Sequence, residues 1–161
     1  MAPATLKRGF QIASRAAVGA ALSLVVAQWC RLDHPLYAML AAIIVTELSP
    51  AQTRLLAARR IVATLVGATC GALLARTLPT NPWTIGLGIA VAMLLCHFIR
   101  AADGARVAGY ICGIAMLTHG ADPWAYAFWR TVETLLGIAV ASALSFLPKL
   151  LGEDEPARGG A

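Results

Sequence analysis

Six apolar stretches, separated by short polar breaks, restrict this chain more than any other feature. They run roughly from Ala16 to Trp29, Pro35 to Leu48, Ile61 to Leu78, Trp83 to Ile99, Val107 to Leu117 and Trp124 to Leu147. Helices without a polar face have nothing to offer water, so a single soluble bundle fits poorly. Several stretches fall short of the ~20 residues that a spanning helix needs. Snorkelling Arg and Lys and interfacial aromatics at their ends lengthen them. Composition agrees: 59% of the 161 residues are hydrophobic and 13% are charged, against roughly a quarter charged in a soluble domain. The expected fold is all-α, a polytopic membrane protein with six transmembrane helices. Residues 1–15 form a cytoplasmic N-terminal segment, 16–148 the six-helix domain and 149–161 a short, disordered cytoplasmic tail.

The first stretch follows Lys7, Arg8 and Arg15, as a secretory signal would. No A-x-A site follows it, bulky Trp29 precedes Cys30, and five more apolar stretches come after. It reads as the first membrane helix.

Charge orients the helices. With the N-terminus inside, the cytoplasmic side receives Lys7, Arg8, Arg15, Arg54, Arg59, Arg60, Arg100, Arg106, Lys149 and Arg158. The outside receives Arg31 and Arg76, with Arg130 a few residues inside the last helix. This asymmetry places both termini in the cytoplasm of a cell whose inner (plasma) membrane holds the chain. The net charge of +5 is thus a topology signal, and no nucleic-acid partner is called for. Trp29, Tyr37, Trp83, Trp124, Tyr126 and Trp129 then fall near the outer interface, as an aromatic belt should. "DHP", "NPW" and "DPW" open the second, fourth and sixth helices, pairing a capping Asp or Asn with Pro in the first turn.

The phrase "RRIVATLVG" (59–67) returns as "WRTVETLLG" (129–137). Without gaps, residues 36–67 match 106–137 at nine positions, and the Arg, Thr and Gly matches are the informative ones. Each copy (10–78 and 80–148) holds three helices. Three is odd, so the second copy must enter the membrane inverted. That is the 3+3 inverted-topology repeat of many transporters, whose sites lie between repeats. The competing reading is coincidence between apolar segments. On a helix, Arg60, Thr64, Gly67 and Gly71 share one face, as do Arg130, Thr134, Gly137 and Ala141. Each arginine heads a strip of small residues where another helix can come close, and Gly109 and Gly113 form a similar strip. The expectation is two cationic mouths related by internal symmetry, Arg60 from inside and Arg130 from outside.

Arg130, Arg60, Thr134 and Thr64 are therefore the candidate anion pathway. Arg60 is equally an ordinary cytoplasmic anchor within a basic cluster. Arg130 lies deeper than Trp124, with Glu133 one turn on; intramembrane ionisable groups usually face protein or water-filled cavities. Glu133 is either a proton or charge partner in transport or a structural i,i+3 partner of Arg130. Glu47 is a second charge partner, placed to pair with Arg54 or Arg60. Cys30, Cys70, Cys96 and Cys112 form no C-x-x-C and read as small apolar packers. His34, His97 and His119 are scattered, with no third ligand for a metal beside His34 and His119. No cofactor is expected. No H-E-x-x-H or G-x-S-x-G motif points to an enzyme.

"HPLYAMLAAIIV" (34–45), "RRIVATLVGATCGALLA" (59–75), "GYICGIAML" (109–117) and "RTVETLLGIAVA" (130–141) resemble the fusaric acid resistance and aromatic acid exporter superfamily over roughly residues 10–147. Plant aluminium-activated malate channels look like distant relatives. The resemblance implies export of aromatic and other organic acids, and anion pathways in dimers with arginines nearby. Typical members add a soluble cytoplasmic domain, and many double the six-helix unit. Here the six stretches are followed by "GEDEPARGGA", from which self-association or a separate partner chain is expected. The leading function is a transporter or channel subunit for organic, including aromatic, carboxylate anions; the alternative is a non-transporting membrane scaffold or regulatory subunit. A continuous cavity holding Arg130 and Glu133 favours the first, and a sealed, dry bundle the second.

The topology is open to labelling. Single cysteines at Asn81 and Ala121 should react with an impermeant reagent on intact cells, and one at Asp103 should not. Reaction at Asp103 would overturn the assigned orientation.

Overall fold

A computed structural model of the chain describes residues 3–32, 34–47, 49–118 and 122–150, with side chains from residue 9 to residue 146 among them. These residues form six α-helices: α1 (Pro3–Trp29), α2 (Leu36–Val45), α3 (Pro50–Thr77), α4 (Pro82–Phe98), α5 (Ala105–Thr118) and α6 (Pro123–Leu150). A 3-10 turn at Ala102–Gly104 precedes α5. Each helix falls on one apolar stretch. Helix α1 starts well before Ala16, so most of the segment expected to precede the domain is helical. The tail after residue 150, Asp33, His119 and Ala121 lie outside the described residues.

Three helices are long and apolar enough to cross a membrane, over Gly9–Trp29, Pro50–Thr77 and Pro123–Phe146. Helices α2 and α4 are apolar but shorter. At 1.5 Å per residue, the 10 residues of α2 reach ~15 Å and the 14 of α5 ~21 Å, below the ~30 Å of a hydrocarbon core.

Helix ends follow local chemistry. Asn81 Oδ1 accepts from the amides of Trp83 (3.0 Å) and Thr84 (2.9 Å), while Thr84 Oγ1 accepts from the Asn81 amide (3.1 Å), a complete capping box. Asp122 Oδ1 accepts more weakly from the Ala125 amide at 3.3 Å. Helices α1 and α4 end alike. Arg31 (φ 54°) and Arg100 (φ 58°) take the left-handed conformation. The next amide then folds back five residues, Leu32 to the Ala27 carbonyl and Ala101 to the Cys96 carbonyl.

Helices α3 and α6 pack on each other. Helix α5 packs between α3 and α4, and α2 packs between α6 and α1. Missing side chains allow the closest approaches. A Cβ on Gly67 would strike the backbone of Ala108, and one on Gly137 would strike the backbone of Ala38. A Cβ on Gly71 would meet Ala115 and Cys112, while Gly109 and Gly113 receive Ile89 and Met93 of α4. All five glycines read as packing positions thus serve contacts within the chain.

The buried set is mostly small or polar, with Ile111 and Met116 the largest fully buried apolar exceptions. It comprises many alanines, Cys70, Cys96 and Cys112, and also Arg60, Arg130 and Glu133. The exposed set is large and apolar, including Phe10, Trp29, Trp83, Leu94 and Leu117. Lipid reverses the penalty on exposed hydrocarbon, and close packing of small residues then holds the helices together. Side-chain hydroxyls follow the same logic: Thr46, Thr131 and Thr134 donate to the carbonyl four residues back (2.7–2.8 Å) rather than facing hydrocarbon unpaired.

Gly67→Val and Gly137→Val should each destabilise the chain by about 1–3 kcal/mol, because backbone stands in the way. Gly86→Ala, whose Cβ meets nothing within 4 Å, should be neutral or stabilising by up to about 1 kcal/mol. Thermal unfolding of the three variants in mild detergent checks the contrast.

Candidate functional site

Arg60 and Arg130 start from helices running in opposite directions, yet they do not end at two separate mouths. Arg60 Nη2 donates to the Tyr110 hydroxyl at 2.5 Å, and Arg130 Nη2 donates to the same oxygen at 3.2 Å. One hydroxyl oxygen has two lone pairs and accepts both. The two nitrogens are therefore no farther apart than those two distances together. Two cationic mouths are replaced by one shared centre.

Both guanidiniums are deeply buried, with Arg60 2% and Arg130 1% exposed. Aromatic faces cover part of each. The Arg130 guanidinium carbon lies 3.5 Å from the Tyr37 ring centre, and that of Arg60 lies 5.6 Å from the Tyr110 ring centre. The remaining donors have no hydrogen-bond partner: Nε and Nη1 of Arg60, and Nε and Nη1 of Arg130. The Thr64 hydroxyl, one turn beyond Arg60, also lacks one. Burying an uncompensated cation costs several kcal/mol. Two cations on one hydroxyl add mutual repulsion.

The other candidates divide. Thr134 is buried but donates to the Arg130 carbonyl at 2.8 Å, so it braces its own helix and differs from Thr64. Glu133, 1% exposed, accepts from the His34 amide at 3.1 Å and so ties the start of α2 to α6. The Arg130 guanidinium turns instead to Tyr110 and Tyr37. Glu47 is half-buried between α2 and α3. Its expected partners are engaged elsewhere, Arg54 over the Phe146 ring at 5.1 Å and Arg60 on Tyr110. Arg59, next to Arg60 in sequence, points outward and pairs with Asp103 at 2.5 Å.

A cavity of about 220 Å³ leads to Arg130 from the end where α2 and α6 begin. Asp122, just before α6, and one stripe of α6 supply most of its wall: Ala125, Tyr126, Trp129, Arg130 and Glu133. His34 and Tyr37 close the other side. His34 stacks on Tyr37 at 5.8 Å, and Tyr37 meets Tyr126 edge-on at 6.4 Å. Tyr37 and Tyr126 thus line the cavity, while Trp29 and Trp83 are exposed.

The profile of the family described as "Aromatic acid exporter family member 1" matches residues 7–147. The chain belongs to the aromatic acid exporter family. No curated protein and no solved structure gives a significant match. Membership in this exporter family, with its apolar helices, makes the chain a membrane-embedded transport protein. In this exporter-family chain, sequence reasoning singled out both arginines but missed Tyr110, which lies inside the quoted "GYICGIAML". A tyrosine in an otherwise small and apolar helix face was the available signal.

Tyr110→Phe removes the one acceptor that both arginines share. Stability should fall by about 1–3 kcal/mol, the usual effect of leaving a buried donor unsatisfied. A saturating carboxylate ligand should restore part of it. Thermal unfolding with and without ligand measures both effects.

Proposed function

We propose that the chain is a transporter or channel subunit for organic, including aromatic, carboxylate anions, working as an exporter. The observation that carries this reading is the pair of buried guanidiniums on one tyrosine hydroxyl, with four nitrogens unpartnered. A carboxylate between Arg60 and Arg130 would supply acceptors for those donors and cancel charge where hydration is poor. The Thr64 hydroxyl is placed to add a further donor. A cavity lined by both Arg130 and Glu133 favours transport over a sealed, non-transporting scaffold.

The same proposal includes six membrane segments arranged as inverted halves, α1–α3 and α4–α6. Several observations support it. Gly67 against Ala108 and Gly137 against Ala38 are the same contact displaced by 70 residues in both partners. The packing of α5 on α3 and α4 mirrors that of α2 on α6 and α1. Helices α1 and α4, at corresponding places, both end on a left-handed arginine. Short segments in corresponding positions of two halves, here α2 and α5, commonly flank a transporter's site. Both termini lie in the cytoplasm of an inner membrane, by the charge asymmetry. Assembly as a homo-oligomer, or with a separate chain, uses the outward row of large apolar side chains, since the glycine strips are spent inside the chain.

Flux of an aromatic carboxylate into liposomes tests the reading. Arg130→Gln should lower flux at least ten-fold while the protein still folds. Arg130→Lys should recover only part, because a point charge cannot replace the bidentate fork. If Arg130 serves only as Glu133's partner, Arg130→Gln with Glu133→Gln should restore flux. Full flux in a folded Arg130→Gln protein would remove this arginine from the pathway.

A further inference from the structure

The wall of the cavity that leads to Arg130 carries more than a site for a negative charge. Among the described residues its wall carries one cation, Arg130, and two carboxylates, Asp122 and Glu133. A ligand whose only charge is negative would pass both carboxylates to reach the guanidinium. Among the described lining residues, the two carboxylates outnumber the guanidinium. The rest of the wall is aromatic: Tyr37, Tyr126 and Trp129.

We propose that this cavity recognises an aromatic zwitterion, a ring bearing a carboxylate and a protonated amine close together; the proposal rests on the transport reading above. The carboxylate meets the Arg130 guanidinium, which lines the cavity and has two nitrogens without a hydrogen-bond partner. The ammonium faces the carboxylates of Glu133 and Asp122. Glu133 accepts a hydrogen bond from the His34 amide, and a carboxylate can accept about four in all. Asp122 likewise accepts one, from the Ala125 amide. The ring lies against Tyr126 and Trp129.

Geometry sets the spacing of the two ligand charges. Arg130 and Glu133 are one turn apart on one helix face, where Cβ atoms are about 5–6 Å apart. Opposite charges that meet both must be near neighbours, as in an α-amino acid and not at opposite ends of a molecule. The cavity of about 220 Å³ is below the ~300 Å³ where pockets for drug-sized ligands begin. It suits one ring with a short charged chain.

Three probes of one shape separate the charges: L-phenylalanine, 3-phenylpropanoate (no amine) and 2-phenylethylamine (no carboxylate). Binding to the full chain in nanodiscs is read by calorimetry and by the emission of the cavity tryptophan, Trp129. L-Phenylalanine should bind at least ten-fold more tightly than either single-charge probe. Glu133→Gln should cut that preference over 3-phenylpropanoate to about three-fold or less. Asp122→Asn, which keeps the acceptor for the Ala125 amide, should narrow it as well, and it carries the test if Glu133→Gln does not fold. Equal or tighter binding of 3-phenylpropanoate to the unaltered chain overturns the inference. Equal preference in the unaltered and both substituted chains does the same. Flux of 3-phenylpropanoate is read in parallel. Arginine-dependent flux without zwitterion preference overturns this inference alone, whereas no flux of any probe overturns the transport reading beneath it.

Discussion

Two arginines from antiparallel helices share one tyrosine hydroxyl, and the rest of the bundle is arranged around that contact. Guanidiniums cannot shed their charge, so burial leaves them only two remedies, partners or a counter-ion. The protein provides partners in part: one hydroxyl for two donors, and the faces of Tyr37 and Tyr110. It leaves Nε and Nη1 of each guanidinium without a hydrogen-bond partner. The proposed anion would meet those remaining donors, as a closed structural network would have done from within the protein.

Holding like charges together requires a frame that does not yield. The packing of α3 on α6 supplies it, and glycine makes these helices' other contacts possible. Gly67 seats α3 on α5, the helix that carries Tyr110, and Gly137 seats α6 on α2, the helix that carries Tyr37. The aromatic partners of the arginines are thus positioned by the two closest backbone approaches. Most large apolar side chains stay on the outside, where lipid accepts them, so the interior is left mainly to small residues and to the charged centre.

Much of this was legible in the sequence, and the physical reasons are local ones. Six apolar stretches announced six helices, and "NPW" announced a cap that Asn81 makes in full. The repeated Arg-x-x-x-Thr-x-x-Gly phrase marked both arginines and both glycines. What it could not convey was depth and direction. A ruler of 1.5 Å per residue put Arg60 near one surface and Arg130 near the other, whereas long side chains and the short helix α5 let both reach Tyr110. Equal sequence also concealed unequal roles. Thr134 bonds back to its own helix while Thr64 does not, and hydroxyl direction is not written in residue type. Helix α1 reached further upstream than its apolar run because its first turns carry Lys7, Arg8 and Arg15. The matching ends of α1 and α4 escaped notice because left-handed arginine, unlike glycine, has no sequence signature.

The central claim is one anion centre built by two arginines, and a double-mutant cycle on binding measures it most directly. The quantity is the affinity of an aromatic carboxylate for the unaltered chain, Arg60→Gln, Arg130→Gln and the double variant, each in nanodiscs. Groups that hold one ligand together couple, while groups at separate sites add. A shared centre predicts that the double variant binds hardly more weakly than the weaker single variant. Losses that multiply, as for two independent sites at opposite ends of a pathway, would contradict it.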